Sequence, residues 1–432
     1  MHTQVSVKAA LTGAQTYYAD YASARSAANA GDVITLWADL DEQIILKDGV
    51  DILIISGRVL DMTDALPTIT DNGVKCICNI FGEGIIKNSY NSAANHECLK
   101  LTHSQSEVYI ECDYMEAPGG TSSLSGIAST ILVANANKFS LICNNLYNHT
   151  DSVIVINNCE DFYIKCKTIE SGVLSDTNEG NSVIYSSGSG YIFADEITCD
   201  GFGSCVEQAG GKLYGKILKL TTKDNATDAK PTVLLDNVSG EQNLILYFDE
   251  IQNLNMTEGD AVTLAEGKAV LTGRRIYSES GLSLDLAANS HIRCNEIISA
   301  EQSINISNTY PEKISIIADT IEGNSDETGV IYVEGAANLS LKGAKIKNLD
   351  TSSDSFGIYI EPAEETPILE LINMIVVSGN ETSGVPIFCN QESGETTLFN
   401  YTLFVNEEIV GFQEILVGTT ANYKYIVSQD VS

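Results

Sequence analysis

Four carboxylates are spaced so that they could carry acid–base chemistry on a sugar chain: the adjacent pair Asp195 and Glu196, and a second pair, Asp249 and Glu250. Inverting glycoside hydrolases need two carboxyl groups about 6.5–9.5 Å apart, one to protonate the leaving oxygen and one to activate water. Two coils of a stacked β-structure would separate the pairs by about 10 Å. The competing reading is a surface ladder of opposite charges. The position of the first acid reads Asp195, Lys216, Asp249, Arg274, Asn295, Asp319 along the chain, and the next position adds Glu196, Glu250, Arg275 and Glu296. Catalytic carboxylates need a partly buried setting that splits their pKa values, so the ladder carries more weight than the catalytic reading.

A second constellation lies just upstream, where Phe193, Tyr214 and Tyr247 occupy one outward position of three successive repeats. Aromatics in line form an apolar strip that can pack against another subunit or stack on sugar rings. The connections 175–181 and 221–231 could instead fold over it. An interface is the leading expectation, with loop cover next and sugar binding last.

Metal and cofactor chemistry find no foothold. The eleven cysteines include no CxxC and no Cys/His ligand spacing, so small buried thiols in a reducing compartment are expected, with no disulfide framework. Asx-rich turns such as NNCED and SDTNEGN lack the calcium-loop pattern, and there is no phosphate loop or dinucleotide fingerprint. The expectation is no metal and no cofactor.

The elements that must position these residues follow from a repeat. The pattern apolar, any, small, any, any, apolar recurs as IFGEGI from Ile80, IECDYM from Ile110, LICNNL from Leu141, IKCKTI from Ile164, IFADEI from Ile192, LYGKIL from Leu213 and LYFDEI from Leu246. It continues as LTGRRI from Leu271, IRCNEI from Ile292, IIADTI from Ile316, LKGAKI from Leu341, LELINM from Leu369 and LFNYTL from Leu398. Ten of the thirteen copies hold Gly, Ala or Cys at the small place, and the twelve steps from Gly82 to Asn400 cover 318 residues, a mean period of 26.5. Apolar runs that are short, alternating and punctuated by Asn, Gly and Ser exclude paired helices.

The repeat predicts an all-β chain: a single-stranded right-handed parallel β-helix of about thirteen coils. Each coil would be strand, turn, strand, tight bend at the small residue, and a third short strand. Phe248 and Leu371 violate the small place and predict local widening. Residues 1–31 read as an N-terminal strand and a cap helix over Thr16–Ala30, residues 32–404 as the β-helix, and 405–432 as the opposite cap or an attachment segment.

A formal charge of −34, from 58 acidic and 24 basic residues, repels phosphate backbones and acidic headgroups, so nucleic acid and membrane insertion are not expected. The N-terminal MHTQVSVKAALTG has no basic-then-apolar leader pattern. The expectation is a protein made in a cytoplasm and kept there or released by lysis.

The stretch AANAGDVITLWADLDEQIILKDGVDILI, residues 27–54, with IFGEGIIKN from Ile80, resembles the opening of pectate-lyase-like β-helices. That group includes polysaccharide-degrading enzymes and bacteriophage tailspikes and tail fibres. Its polygalacturonase-like members carry Asn-Thr-Asp, Asp-Asp and Gly-His-Gly motifs, none of which occurs here, and Arg293 has no aspartate cluster in its coil as pectate lyases would require. The resemblance therefore implies a non-enzymatic virion component, a rigid appendage for attachment. It would be a homo-oligomer, trimer favoured, meeting other virion proteins and a host-surface glycan. The alternatives are a tailspike-type polysaccharide depolymerase, hydrolase or lyase, and a bacterial surface adhesin.

Overall fold

The computed structural model describes residues 4–90, 97–118, 129–174, 182–201, 203–223, 230–236, 243–257, 259–308, 313–326, 328–335, 338–343, 345–351 and 355–361. Beyond these it describes the strand segments 368–372, 375–377, 385–389, 402–404, 416–417 and 424–426. The chain is an all-β parallel solenoid of about 11 turns, divided into two compact units, Met1–Ile217 and Leu218–Ser432. The signature copies from Leu369 and Leu398 run into residues outside the description.

In both units a turn consists of a three-residue strand, a tight turn and one long bent strand. Ile131–Val133 and Leu284–Leu286 are typical short strands, buried at both ends and half-buried between. In the long strand Glu107–Ala117, inward and outward residues alternate up to Cys112. Two consecutive residues, Asp113 and Tyr114, then stay out of the core before alternation resumes at Met115. That doubled outward step is the corner. It resets the two-residue period, so the chain changes direction while both legs keep their apolar side chains inside.

The backbone ladder is broken at the same place. In the first unit Ile110, Leu141, Ile164 and Ile192 are in register, as are Cys112, Cys143, Cys166 and Ala194, and then Met115, Leu146, Ile169 and Ile197. The residues Asp113, Asn144, Lys167 and Asp195 drop out of the pairing. In the second unit Leu246, Leu271, Ile292, Ile316 and Leu341 align, and so do Ile251, Ile276, Ile297, Ile321 and Ile346. The expected turn is thus observed, with the bend one residue past the small place and the two flanking strands fused into one.

Three copies of the signature are corrected. In the first, Ile86 and not Ile85 is buried and pairs with Met115, because the Gly82–Glu83–Gly84 corner is one residue longer. A Cβ on Gly82 would lie 2.0 Å from the Ile54 carbonyl oxygen, so only glycine fits there. In the sixth, Ile217 is buried and Leu218 is 46% exposed, so the frame runs two residues later than LYGKIL. In the twelfth, Leu371 pairs with Leu341 and Val376 with Ile346. Leu371 therefore stands at the first place and does not violate the small one. Parallel pairing also continues past Phe404, with Leu416–Val417 beside Phe388–Cys389 and Lys424–Ile426 beside Thr402–Phe404.

Phe248 is a true violation, and beside it the backbone pairing with the next turn lapses at Phe248–Gly273 as well as at the corner. It is 7% exposed, and a Cβ on Gly273, at the small place of the next turn, would lie 2.2 Å from its ring. The ring occupies space that the glycine leaves empty. Phe162 and its registered partner Gly190 repeat the device.

The predicted helix over 16–30 is shorter. Gln15–Tyr18 is a strand, antiparallel to Val5–Lys8, which also pairs antiparallel with Val33–Leu36. Aromatic and β-branched side chains favour this state. The helix Tyr21–Ala27 starts at Asp20, whose Oδ1 accepts the Ser23 N–H at 2.7 Å. Ile44 and Leu46 donate their N–H groups to Thr68 and Thr70, which turns the Ile45 carbonyl toward the opposite, unpaired edge. Tyr21 Oη and Arg25 Nε both donate to that carbonyl, at 3.0 and 2.7 Å, satisfying an edge that would otherwise be exposed.

Buried polar groups brace the loop that leads from each long strand to the next short one. Two residues past the last inward apolar residue stand Asn88, Asn148, Asn253 and Asn348, all at most 2% exposed. Asn253 Nδ2 donates to the Asp260 carbonyl at 2.8 Å while its Oδ1 accepts the Asn255 N–H at 3.0 Å. Asn348 likewise donates to Phe356 O and accepts from Asp350 N. Each amide satisfies backbone groups from both sides of the loop.

Two outcomes are expected. Gly273→Ala should destabilise by about 1–3 kcal/mol through overpacking against Phe248, read as a lower urea midpoint, and Phe248→Leu in the same chain should recover part of the loss. Burial lifts the Asp260 carboxyl to about 6. Because the folded value lies above the unfolded one, its stabilising contribution is complete below about pH 4 and is lost as pH rises through 6. Asp260→Asn should therefore flatten the stability profile between those limits and raise the melting temperature at neutral pH.

Candidate interaction surface

The outer face of the first unit's long strands carries the aromatics. Register places Tyr163 beside Tyr191, and the Tyr191 and Tyr214 rings stack with centroids 5.2 Å apart at 22°. Phe193 lies against Tyr163, centroids 5.5 Å apart. The aromatic column on these three turns is therefore Tyr163, Tyr191 and Tyr214, two residues upstream of the row read from sequence. The cause is the frame shift of the sixth signature, which moves Tyr214 from beside Phe193 to beside Tyr191. Tyr247 lies in the second unit, 52% exposed. The connections expected to cover the strip fall largely outside the described residues.

Four lysines surround these rings. Lys165 pairs in register with Phe193; Lys212 and Lys216 flank Tyr214; and Lys167 stands at a corner. All four are exposed. None makes an ion pair or side-chain hydrogen bond among the described residues. Three other lysines of this unit do meet acids: Lys87 meets Glu116 at 2.7 Å, Lys100 meets Glu97 at 3.1 Å and Lys138 meets Asp161 at 2.9 Å.

Of the four candidate carboxylates, Asp195 is exposed and Glu196 half-buried, neither in an ion pair among the described residues. Asp249 and Glu250, in the second unit, are committed. Arg274 donates Nε and Nη2 to the two Asp249 oxygens at 2.9 and 3.2 Å, and this bond holds the Asp249 carboxyl below its ordinary value. Arg275 donates to Glu250 at 3.0 Å, faces Glu296 at 3.7 Å and packs over the Tyr277 ring at 4.7 Å. The expected charge ladder is thus present from Asp249 onward only; before it, the frame shift of the sixth signature places Leu218 at the corner position and moves Lys216 out of the row. A carboxyl held ionised by a bidentate arginine is unsuited to protonate a leaving group.

Two arrangements were not read from the sequence. Glu116 accepts from Lys87 and from His149, each at 2.7 Å. Burial works to raise this carboxyl, yet the two bonds outweigh it and bring it below its ordinary value. A cavity of about 500 Å³ opens at a corner, lined among others by Ser56, Glu83, Glu111, Asp113 and Asn144. Ser56 donates to Glu83 at 3.1 Å, Tyr109 to Glu111 at 2.9 Å and Asn144 to Asp113 at 2.6 Å, so each acid is held by a neutral donor. Residues that far apart in sequence meet only through coil register, which a single repeat pattern does not display.

The ten cysteines whose side chains are described are buried and free. Burial pushes the Cys78 and Cys294 thiols up to about 12, so they stay protonated and act as small apolar side chains. Among the described residues no group of three His, Cys, Asp or Glu is placed to hold a metal ion, and no helix is long and apolar enough to cross a membrane.

The arrangement defines a parallel β-solenoid with a tyrosine column in its first unit and a charge ladder in its second. Compared with protein-family models, curated proteins and solved structures, the chain matches none.

The two arginines of the ladder should differ when removed. Arg274→Ala breaks an exposed pair and should cost at most about 1 kcal/mol. Arg275→Ala leaves the largely buried Glu250 without its cation and should cost about 2–3 kcal/mol. Urea denaturation of the two variants checks the order.

Proposed function

We propose that this protein is a non-enzymatic presenting scaffold, a structural or attachment component of a bacteriophage particle of the tailspike or tail-fibre kind. The observation that carries the reading is the commitment of Asp249 and Glu250 to Arg274 and Arg275: the residues best spaced for acid–base work on a glycan serve as a stabilising ladder. The stacked tyrosines and Phe193 offer contact area at low entropic cost, as recognition surfaces do. A host-surface glycan and other virion proteins are the partners this reading supplies.

A second reading, a polysaccharide depolymerase, is favoured by the corner cavity, where Glu83, Glu111 and Asp113 line one space without a cationic partner among the described residues. Incubating the protein with surface polysaccharide of a host strain separates the two. The scaffold reading expects no new reducing ends and no unsaturated uronate absorbance. Product formation that persists in Glu196→Gln and Glu250→Gln but disappears in Glu111→Gln or Asp113→Asn would replace it with the enzyme reading and place the chemistry in the cavity.

A further inference from the structure

In the second unit, the leg before the corner forms a face without acids over four successive turns. Residues 268–272, 289–293 and 313–317 and the strand Asn338–Lys342 contain no aspartate or glutamate. They contain Lys268, His291, Arg293, Lys313 and Lys342, all exposed and none in an ion pair or side-chain hydrogen bond among the described residues. Register fixes their pattern. Lys268, Asn289 and Lys313 form one column, His291 and Ser315 lie in the next, and Arg293 lies between Thr272 and Ile317, with Lys342 one turn further. Lys268 and Lys313 stand two turns apart, about 10 Å, and a shallow cavity of about 460 Å³ between them is lined by Asn289, His291 and Ser315. Acids border this face without entering it. Glu266 and Glu334 are exposed ahead of it, Asp319 is exposed past the corner, and Glu370, registered with Ser340, belongs to the next turn; Glu312 lies outside the described residues. The matching leg of the first unit mixes signs, with Glu107, Lys138 and Asp161 in one column.

We propose that this face binds a slender polyanion, a flexible carbohydrate chain carrying phosphodiester or sulfate groups. The net charge of −34 repels broad anionic bodies such as a membrane or a DNA duplex, which meet the field of the whole molecule. A single narrow chain laid along the four turns is governed by the charges within about 10 Å of it, and those on the face are all cationic. Single-stranded nucleic acid needs a row of stacking platforms, whereas the four legs hold no Phe, Tyr or Trp. Exposed Tyr247, registered with Thr272 on the preceding turn, adds one ring at the border, which suits a sugar and not a run of bases. The choice of cations selects the anion. Planar carboxylates are best matched by arginine forks, and the face has one arginine; three lysines present point charges that suit tetrahedral oxyanions. The proposal deepens the scaffold reading and rests on it in taking the partner for a surface glycan.

The test is calorimetric titration of the full-length chain, with circular dichroism as a folding control. Poly(ribitol phosphate) is the phosphodiester probe and dextran sulfate the sulfate probe; polygalacturonate, neutral dextran and duplex DNA are comparators. Wild type should bind one or both probes, the one bound more tightly identifying the source of the oxyanion, and should lose about tenfold or more in affinity between about 50 and 200 mM salt. Lys268→Glu with Lys313→Glu should weaken binding by about tenfold or more. Lys75→Glu with Lys223→Glu, the same change of charge at exposed lysines elsewhere, should leave it within about twofold. Binding of neither probe, equal binding of polygalacturonate or duplex DNA, or an equal loss in both double variants would each overturn the proposal. Failure to bind leaves the scaffold reading standing, while cleavage of a bound probe would overturn that reading and leave this one in place.

Discussion

The structure depends on one constraint: each lap must return an apolar side chain to a position directly over the one before it. Parallel pairing supplies the spacing, and the doubled outward step at the corner keeps both legs facing the core. Without that phase reset, the alternation that buries Ile110 would turn Met115 to solvent. The columns Ile110–Leu141–Ile164–Ile192 and Met115–Leu146–Ile169–Ile197 show the requirement met turn after turn. Residues at the corner are freed from the backbone ladder, and this is where charge collects.

Freed corners can be spent in two ways. In the second unit they stabilise, with Asp249 against Arg274 and Arg275 between Glu250 and Glu296. In the first unit Lys167 and Asp195 stand unmatched by any described partner. A ladder satisfied within the chain has little left to offer a partner, whereas an unmatched one retains its full capacity to select one.

Interior packing follows the same vertical logic. Phe248 over Gly273 and Phe162 over Gly190 exchange volume between adjacent turns, so the core stays filled although single positions break the small-residue rule. The buried asparagines act similarly on polar groups: in the four loops that carry one, its amide satisfies backbone atoms that the turn removes from the sheets. Both devices are local to neighbouring turns, which is why a solenoid tolerates irregular repeats that a globular core would not.

The sequence by itself determined the class of fold, the length of a turn and the inward residues of most copies, because each is a one-dimensional pattern that stacking preserves. It also held the signal for the asparagine braces, two places beyond the last apolar residue, although that signal went unread. Tertiary structure alone decided the register between copies. Single-residue and two-residue offsets at Gly82–Gly84, before Ile217 and at Leu371 leave the apolar pattern plausible while changing which outward side chains meet. For that reason Tyr214 lies on Tyr191 and not beside Phe193, Phe248 is relieved by a glycine in the next turn, and Glu116 finds both Lys87 and His149. A repeat specifies what recurs; contact between turns depends on the exact residue count of every corner and loop, which the repeat averages away.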